Sequence, residues 1–66
     1  MKATINGEPR DLPAGSTLAS LLDALGTPSA GIAVAKNDSV VRRGDYASHQ
    51  LADGDRIEII KAVAGG

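Results

Sequence analysis

Cysteine is absent from this chain of 66 residues, and so are tryptophan and phenylalanine. Without cysteine the chain forms no disulfide, offers no thiolate ligand to a metal and has no thiol nucleophile. Tyr46 is the one aromatic residue, so the core has to be aliphatic. A chain this short buries only about 60% of the surface that its unfolded form exposes, which leaves room for one marginally stable core. We therefore predict a single domain spanning residues 1–66.

Neither sign of charge is in excess. Seven Lys and Arg stand against eight Asp and Glu, and the longest run of one sign is Arg42-Arg43. Proteins that bind nucleic acid cluster many positive charges on one face, so we expect no nucleic-acid partner. No stretch approaches the ~20 apolar residues that a membrane-spanning helix needs, and the N-terminus shows no signal-peptide pattern. We therefore expect a cytoplasmic protein without a membrane partner.

The first twelve residues predict a β-hairpin. Apolar and polar residues alternate from Met1 to Asn6, and Asn6-Gly7 favours a type I′ turn between two strands. Pro9 has no N–H to donate, so the return strand should lie at the edge of a sheet.

An amphipathic helix follows the hairpin. Ser16 or Thr17 is its predicted N-cap, Gly26 suits the position after its end, and Pro28 prevents it from resuming. Four leucines share one face at helical spacing: Leu18, Leu21, Leu22 and Leu25. A helix of about ten residues does not persist alone in water, so its leucine face should pack on a sheet.

The second half of the chain predicts three more strands. These cover about residues 32–35, 40–42 and 56–61, and Asp53-Gly54-Asp55 forms the turn before the last of them. The third strand can place either Ile32 with Val34, or Ala33 with Ala35, beneath the helix. The order β-β-α-β-β-β predicts an α+β fold: a mixed sheet of about five strands with one helix across one face. The crossover through the helix makes the last strand central and parallel to the first.

Catalytic and metal-binding arrangements are scarce. His49 is the only base available to the serines, and its polar neighbours predict an exposed side chain rather than a member of a triad. Asp53 and Asp55 are explained as turn residues and are too few for a calcium loop. No glycine-rich nucleotide motif occurs. We expect no catalytic residue, no metal site and no permanently bound cofactor, and therefore not an enzyme.

The C-terminal residues Val63-Ala64-Gly65-Gly66 have small side chains and end in two glycines. Glycine lacks Cβ and passes through narrow channels, and the stretch 61–66 reaches about 20 Å at ~3.3–3.6 Å per residue. The α-carboxylate is ionised at neutral pH and can attack an activated phosphate. We hypothesise that a flexible tail, from about residue 61, presents the Gly66 carboxylate to another enzyme. A frayed end that happens to be glycine-rich is the alternative.

Segments along nearly the whole chain resemble one family without insertions. They are Gly15-Ser16-Thr17-Leu18 with Leu21-Leu22, Ala33-Val34-Ala35-Lys36-Asn37, Val41-Arg42-Arg43, Leu51-Ala52-Asp53-Gly54-Asp55-Arg56-Ile57-Glu58-Ile59, and Val63-Ala64-Gly65-Gly66. The chain resembles the ThiS-type sulfur carrier proteins of thiamin biosynthesis, ubiquitin-like β-grasp proteins of the MoaD/ThiS superfamily. Arg42 departs from the pattern, since the family is expected to have proline there.

The resemblance implies a mechanism and a set of partners. An E1-like adenylating enzyme of the ThiF type uses ATP and Mg to convert the Gly66 carboxylate into an acyl adenylate. A persulfide charged by a cysteine desulfurase then displaces AMP, which leaves a thiocarboxylate. A thiazole synthase of the ThiG type consumes the sulfur. Gly66 is the modified residue, and Gly65, Ala64 and Val63 form the tail that enters the partner's active site.

The resemblance also implies a docking surface on the sheet face that the helix leaves uncovered. Its candidate residues are Ile60, Ile32, Val34, Arg42 and Arg43. An equally weighted interpretation places the three apolar residues in the core, and the two arginines are also explained as a solvated face.

Other functions stay open at this stage. A small subunit of molybdopterin synthase, or a carrier of another sulfur pathway, has the same ending and chemistry with a different recipient. A β-grasp interaction module that is never activated, and a small RNA-binding domain, belong to other classes. The balanced charge gives the last little support.

Overall fold

The computed structural model describes residues 1–61. Within them the elements are β1 (Lys2–Ile5), β2 (Glu8–Asp11), α1 (Leu18–Ala24), β3 (Ile32–Lys36), β4 (Ser39–Val41) and β5 (Arg56–Lys61), with a 3-10 turn at Arg43–Asp45. The sheet order is β2-β1-β5-β3-β4, with β1 and β5 parallel and the other neighbours antiparallel. The predicted α+β fold with a central last strand is confirmed.

The hairpin forms as its sequence predicts. Asn6 and Gly7 have φ values of 51° and 84°, the left-handed backbone of a type I′ turn. The strand positions on either side of the turn, Ile5 and Glu8, pair directly. β2 lies at the edge of the sheet, so Pro9, which has no N–H, does not interrupt a hydrogen-bond ladder with another strand.

Both ends of the helix are closed by hydrogen bonds. Thr17 is the N-cap: its Oγ1 accepts from the Ser20 amide at 3.1 Å, and the Ser20 Oγ accepts from the Thr17 amide at 2.8 Å. Gly26, at φ 67°, follows the end of the helix, and its amide donates to the Asp23 carbonyl while the Thr27 amide donates to Leu22. This is the Schellman arrangement, and it limits α1 to seven residues instead of the predicted ten.

The core lies between α1 and one face of the sheet. Leu18, Leu21 and Leu22 are at most 2% exposed, and burial of each stabilises the fold by about 1.5–3 kcal/mol relative to exposure. Among residues 1–61, eleven buried apolar residues form this core: Ala3, Ile5, Leu12, Leu18, Leu21, Leu22, Val34, Val41, Tyr46, Leu51 and Ile57.

The face of β3 is decided by its neighbours. Val34 pairs with Ile59 on one side and Val41 on the other, so all three side chains share the face beneath α1. Val34 is 1% exposed, whereas Ala33 is exposed to solvent. The prediction that Val34 contributes to a docking surface is therefore wrong, because its side chain is part of the core. Ile32 lies on the same face, half-buried against that core.

The turn between β3 and β4 repeats the geometry of the first hairpin. Asn37 and Asp38 have φ values of 51° and 71°, so Ser39 pairs with Lys36 at once. β4 consequently begins and ends one residue earlier than predicted, and Arg42 precedes the 3-10 turn. Within residues 1–61, no helix is long and apolar enough to cross a membrane. Lys61 ends β5, and the rest of the predicted flexible tail lies outside the described residues.

Candidate functional site: an exposed apolar patch and the end of the central strand

An apolar patch lies on the face of the sheet opposite α1. Ala33 pairs with Ile60 across one strand boundary, and Ala35 pairs with Val40 across the other. Side chains two apart in a strand share a face, so the four residues are neighbours. Ile60 is 61% exposed and Val40 is 78% exposed, the two large exposed apolar residues among those described. We call Ala33, Ala35, Val40 and Ile60 the outer patch.

Three candidates from the sequence keep positions suited to docking. Ile60 lies in the outer patch, and Arg42 and Arg43 are exposed where the chain leaves β4. Ile32 and Val34 face the core instead. Val40 was missed by the sequence reasoning, because Val40-Val41 in a strand of three residues does not reveal which valine points outward.

Charged side chains accompany the outer patch along β5. Arg56 and Glu58 lie on the same face as Ile60, and the Arg56 Nη2 contacts Asp38 Oδ2 at 2.8 Å. The hydrogen bond from Arg56 to Asp38, together with the charge of that carboxylate, raises the pKa of the guanidinium. Both side chains are exposed, so the pair contributes little to stability and orients charge at the edge of the patch.

The last residues of β5 lead to the C-terminal residues of the chain. β3 accompanies β5 as far as Lys61, which pairs with Ile32. On the other side, the Asn6 side chain contacts the backbone of Ile59: its Oδ1 accepts from the Ile59 amide at 2.8 Å, and its Nδ2 donates to the Ile59 carbonyl at 3.3 Å. The predicted tail residues Val63, Ala64, Gly65 and Gly66 follow in the sequence and lie outside the described residues.

A buried carboxylate organises the beginning of β5. Asp55 is 7% exposed, and its oxygens accept from the Ala52 amide at 2.7 Å and from Asn37 Nδ2 at 3.1 Å, with Lys36 Nζ 3.8 Å away. Burial alone raises the pKa of this carboxyl. The hydrogen bonds from Ala52 and Asn37 and the charges of Lys36 and His49 outweigh it, so the pKa of Asp55 lies below its ordinary value. The turn interpretation of Asp55 holds, but this link to the β3–β4 turn was not foreseen.

His49 is half-buried, so the prediction of a solvent-exposed side chain is wrong. Its carbonyl accepts from the Leu18 amide at 3.1 Å, which draws the loop against the start of α1. Its Nε2 is buried, and among the described residues it has no hydrogen-bond partner. The neighbouring Ser48 hydroxyl donates to the Asp45 carbonyl instead, so these two residues do not form a nucleophile–base pair.

The described residues therefore offer a surface and a strand end. Within residues 1–61, no three His, Asp or Glu side chains are grouped closely enough to hold a metal ion. A five-stranded mixed sheet with one helix on one face, an apolar patch on the other and a central last strand defines a ubiquitin-like β-grasp protein.

Comparison with known proteins identifies the family within this class. The model of the ThiS family matches residues 3–66. The sulfur carrier protein ThiS of Escherichia coli is 36% identical over 66 residues, which cover all of both chains. The chain belongs to the ThiS family.

Three further similarities concern the fold and longer proteins. The crystal structure of the thiamine biosynthesis protein ThiS from Geobacter metallireducens covers the whole of both chains with a TM-score of 0.85 at 29% identity. The thiazole synthase of Magnetococcus marinus is 42% identical over 66 residues, and this chain spans 20% of its length. A second thiazole synthase, from Paramagnetospirillum magneticum, is 41% identical with the same coverage.

Proposed function

We propose that this chain is a sulfur carrier protein that serves thiazole formation in thiamin biosynthesis, with the carboxylate of Gly66 as its reacting group. The observation that carries the proposal is the match to the ThiS family, which extends through residue 66 and therefore includes both glycines. The E. coli and Thermus thermophilus relatives, each 36% identical, are named sulfur carrier proteins.

The proposed chemistry activates a poor electrophile. A Gly66 carboxylate oxygen attacks the α-phosphate of ATP, and pyrophosphate leaves as the acyl adenylate forms. The terminal sulfur of a persulfide then attacks the carbonyl carbon and AMP departs. A thiol then attacks the outer sulfur of the resulting acyl disulfide, so that a new disulfide forms and the thiocarboxylate on Gly66 is the leaving group. In this scheme ATP and Mg are bound by the adenylating enzyme, and the chain is a protein co-substrate with no catalytic residue of its own.

Three partner enzymes belong to the proposal. An E1-like enzyme of the ThiF type adenylates Gly66, a cysteine desulfurase supplies the persulfide, and a thiazole synthase of the ThiG type receives the sulfur. Support for the last partner comes from the two thiazole synthases whose polypeptides include a segment similar to this whole chain. We propose a cytoplasmic location, because the activating step consumes ATP.

The outer patch is the proposed docking surface. Exposed apolar side chains that adjoin one another, with charged residues beside them, are typical of surfaces that bind other proteins. Ile60 lies at the end of β5, only six residues before Gly66, so a partner bound there lies close to the start of the tail. Arg42 and Arg43 are proposed as polar contacts of the same interface.

The intact mass of the chain tests this function. The full chain is incubated with an E1-like adenylating enzyme, ATP, Mg, a cysteine desulfurase and cysteine, with a reaction lacking ATP as control. A gain that equals the exchange of one oxygen for sulfur, mapped to the C-terminal peptide, is expected. Absence of the gain with several such enzymes, and no ATP consumption, would favour the interaction module that is never activated.

A further inference from the structure

β5 extends beyond the end of its parallel neighbour, β1. β1 pairs with β5 at two positions, and the second, Ile5↔Ile57, comes immediately before the chain turns away at Asn6-Gly7. β5 continues to Lys61. The part of β5 that leads to the C-terminal residues therefore has a backbone ladder with β3 but none with β1.

The side chain of Asn6 takes the place of the missing ladder. The backbone amide of Asn6 donates to the Ile57 carbonyl at 2.9 Å, which is the last backbone contact between the two strands. Two residues further along β5, the side chain of Asn6 accepts from the Ile59 amide at 2.8 Å and donates to the Ile59 carbonyl at 3.3 Å. A primary amide presents an acceptor oxygen and a donor nitrogen, which here replace the backbone carbonyl and amide that a continuing parallel strand would offer to Ile59.

The turn by itself does not require this side chain. At φ 51° both asparagine and glycine are accommodated, and glycine has no steric penalty there. The second type I′ turn offers a matched case, because Asn37 also has φ 51° and also contacts β5. It accepts from the Arg56 amide at 2.9 Å and donates to Asp55 Oδ1 at 3.1 Å. Asn37 thus holds the beginning of β5, and Asn6 holds the part of β5 that leads to Gly66.

We propose that Asn6 is a positioning residue for the activation of Gly66. Its side chain holds the backbone amide and carbonyl of Ile59, seven residues before the reacting carboxylate. The end of β5 then has a fixed orientation where it leads to the C-terminal residues. This inference rests on the proposed function. Reactions between positioned groups are sensitive to small displacements. If the end of β5 separates from Asn6, the Gly66 carboxylate samples more positions, and a smaller fraction of the bound chains reacts.

The test compares Asn6→Gly with Asn37→Gly in the full chain. Each variant keeps a residue suited to the left-handed turn and removes two side-chain hydrogen bonds to the strand or its preceding turn. Amide hydrogen exchange reports the local effect, and the initial rate of thiocarboxylate formation against chain concentration separates kcat from KM. Loss of the two bonds in Asn6→Gly is expected to speed exchange of the Ile59 amide about five- to thirtyfold.

Only one of the two variants is expected to change catalysis. Asn6→Gly should lower kcat severalfold with an unchanged KM, because the outer patch is intact and the delivery of Gly66 is not. Asn37→Gly should destabilise the fold but leave kcat and KM as in the wild type, at a temperature where both variants are folded. Asn6→Asp, which keeps the acceptor for the Ile59 amide, is expected to have an intermediate kcat and serves if the glycine variant does not fold.

The outcomes separate the two proposals. A wild-type chain that gains no sulfur overturns the proposed function and the positioning role with it. A wild-type chain that gains sulfur at the same kcat as the Asn6 variants overturns the positioning role alone. Equal losses of kcat in Asn6→Gly and Asn37→Gly would overturn it as well, because they would reflect stability rather than the direction of the strand end.

Discussion

At the scale of single residues, Asp55 couples protonation to folding. Its carboxylate accepts hydrogen bonds from Ala52 and Asn37, and its pKa in the folded protein lies below the ordinary value. A proton therefore binds the unfolded chain more readily than the folded one. The stabilisation is complete above the ordinary pKa of a free aspartate, and it is lost as the pH falls through the lower pKa of the folded state.

Asp55→Asn should lower the free energy of unfolding at neutral pH by about 1–3 kcal/mol, because an amide nitrogen cannot accept the bonds that a carboxylate oxygen accepts. The variant should also lose less stability than the wild type as the pH falls from neutral to below the ordinary pKa of a free aspartate, since it has no carboxyl to titrate at this position. Urea unfolding at several pH values measures both. Asp11→Asn is the control, because the Asp11 side chain is 83% exposed and should behave like the wild type. Equal stability of Asp55→Asn and the wild type at neutral pH would contradict the argument.

At the scale of secondary-structure elements, the packing of α1 on the sheet provides much of the stability. Leu22 is 2% exposed in the core, whereas Leu25, three residues further on, is half-buried at the end of the helix. Leu22→Ala should lower the free energy of unfolding by about 2–5 kcal/mol, a large part of the total for so small a domain. Leu25→Ala should have a smaller effect because less of its side chain is buried. Thermal unfolding followed by circular dichroism compares the two, and a Leu22→Ala protein that melts with the parent would refute this account of the core.

The elements that the sequence predicts well are those whose signals are local. The leucine spacing, the Thr17 cap, Gly26 and the Asn6-Gly7 turn all act within a few residues, and each has its predicted role. The orientation of β3 is different, because it depends on pairing with β4 and β5 rather than on its own alternation. Val34 lies beneath the helix because its partners there are Val41 and Ile59.

The candidate site follows the same rule. Asn6 is recognised from the sequence as a turn residue, but its contact with Ile59 joins positions 53 residues apart in the chain. Asp55 is likewise recognised as part of a turn, and its contact with Asn37 crosses 18 residues. Both second roles depend on the assembled sheet. The predicted role of Gly66 is of another kind, since it rests on the resemblance and on the chemistry of a terminal carboxylate.

At the scale of the whole molecule, the two faces of the sheet differ in what covers them. One face packs against α1, and the other carries the outer patch. Ile60→Ser and Val40→Ser should leave the melting temperature nearly unchanged, because both side chains are largely exposed. Each should weaken binding to the adenylating enzyme by about tenfold if it contributes roughly 1.4 kcal/mol to the interface. Ala24→Ser, on the exposed side of α1, is the control. Unchanged dissociation constants for both patch variants, measured by calorimetry, would exclude the patch as the docking surface.

The last prediction separates a carrier from a passive binding module. The eleven core residues found within residues 1–61 lie between Ala3 and Ile57. Because the last residues of a domain generally contribute little packing, removal of Gly66 should leave the melting temperature unchanged. The shortened chain still ends in a glycine, but its carboxylate would lie ~3.3–3.6 Å short of the original position if the backbone is extended. Reacting atoms must come within about 3–3.5 Å of each other, so a shift of this size prevents the reaction. Intact mass spectrometry should therefore detect no sulfur on the shortened chain, while its affinity for the adenylating enzyme stays close to that of the wild type. Activation of the shortened chain at the wild-type rate would show that the position of Gly66 is not what the adenylating enzyme requires.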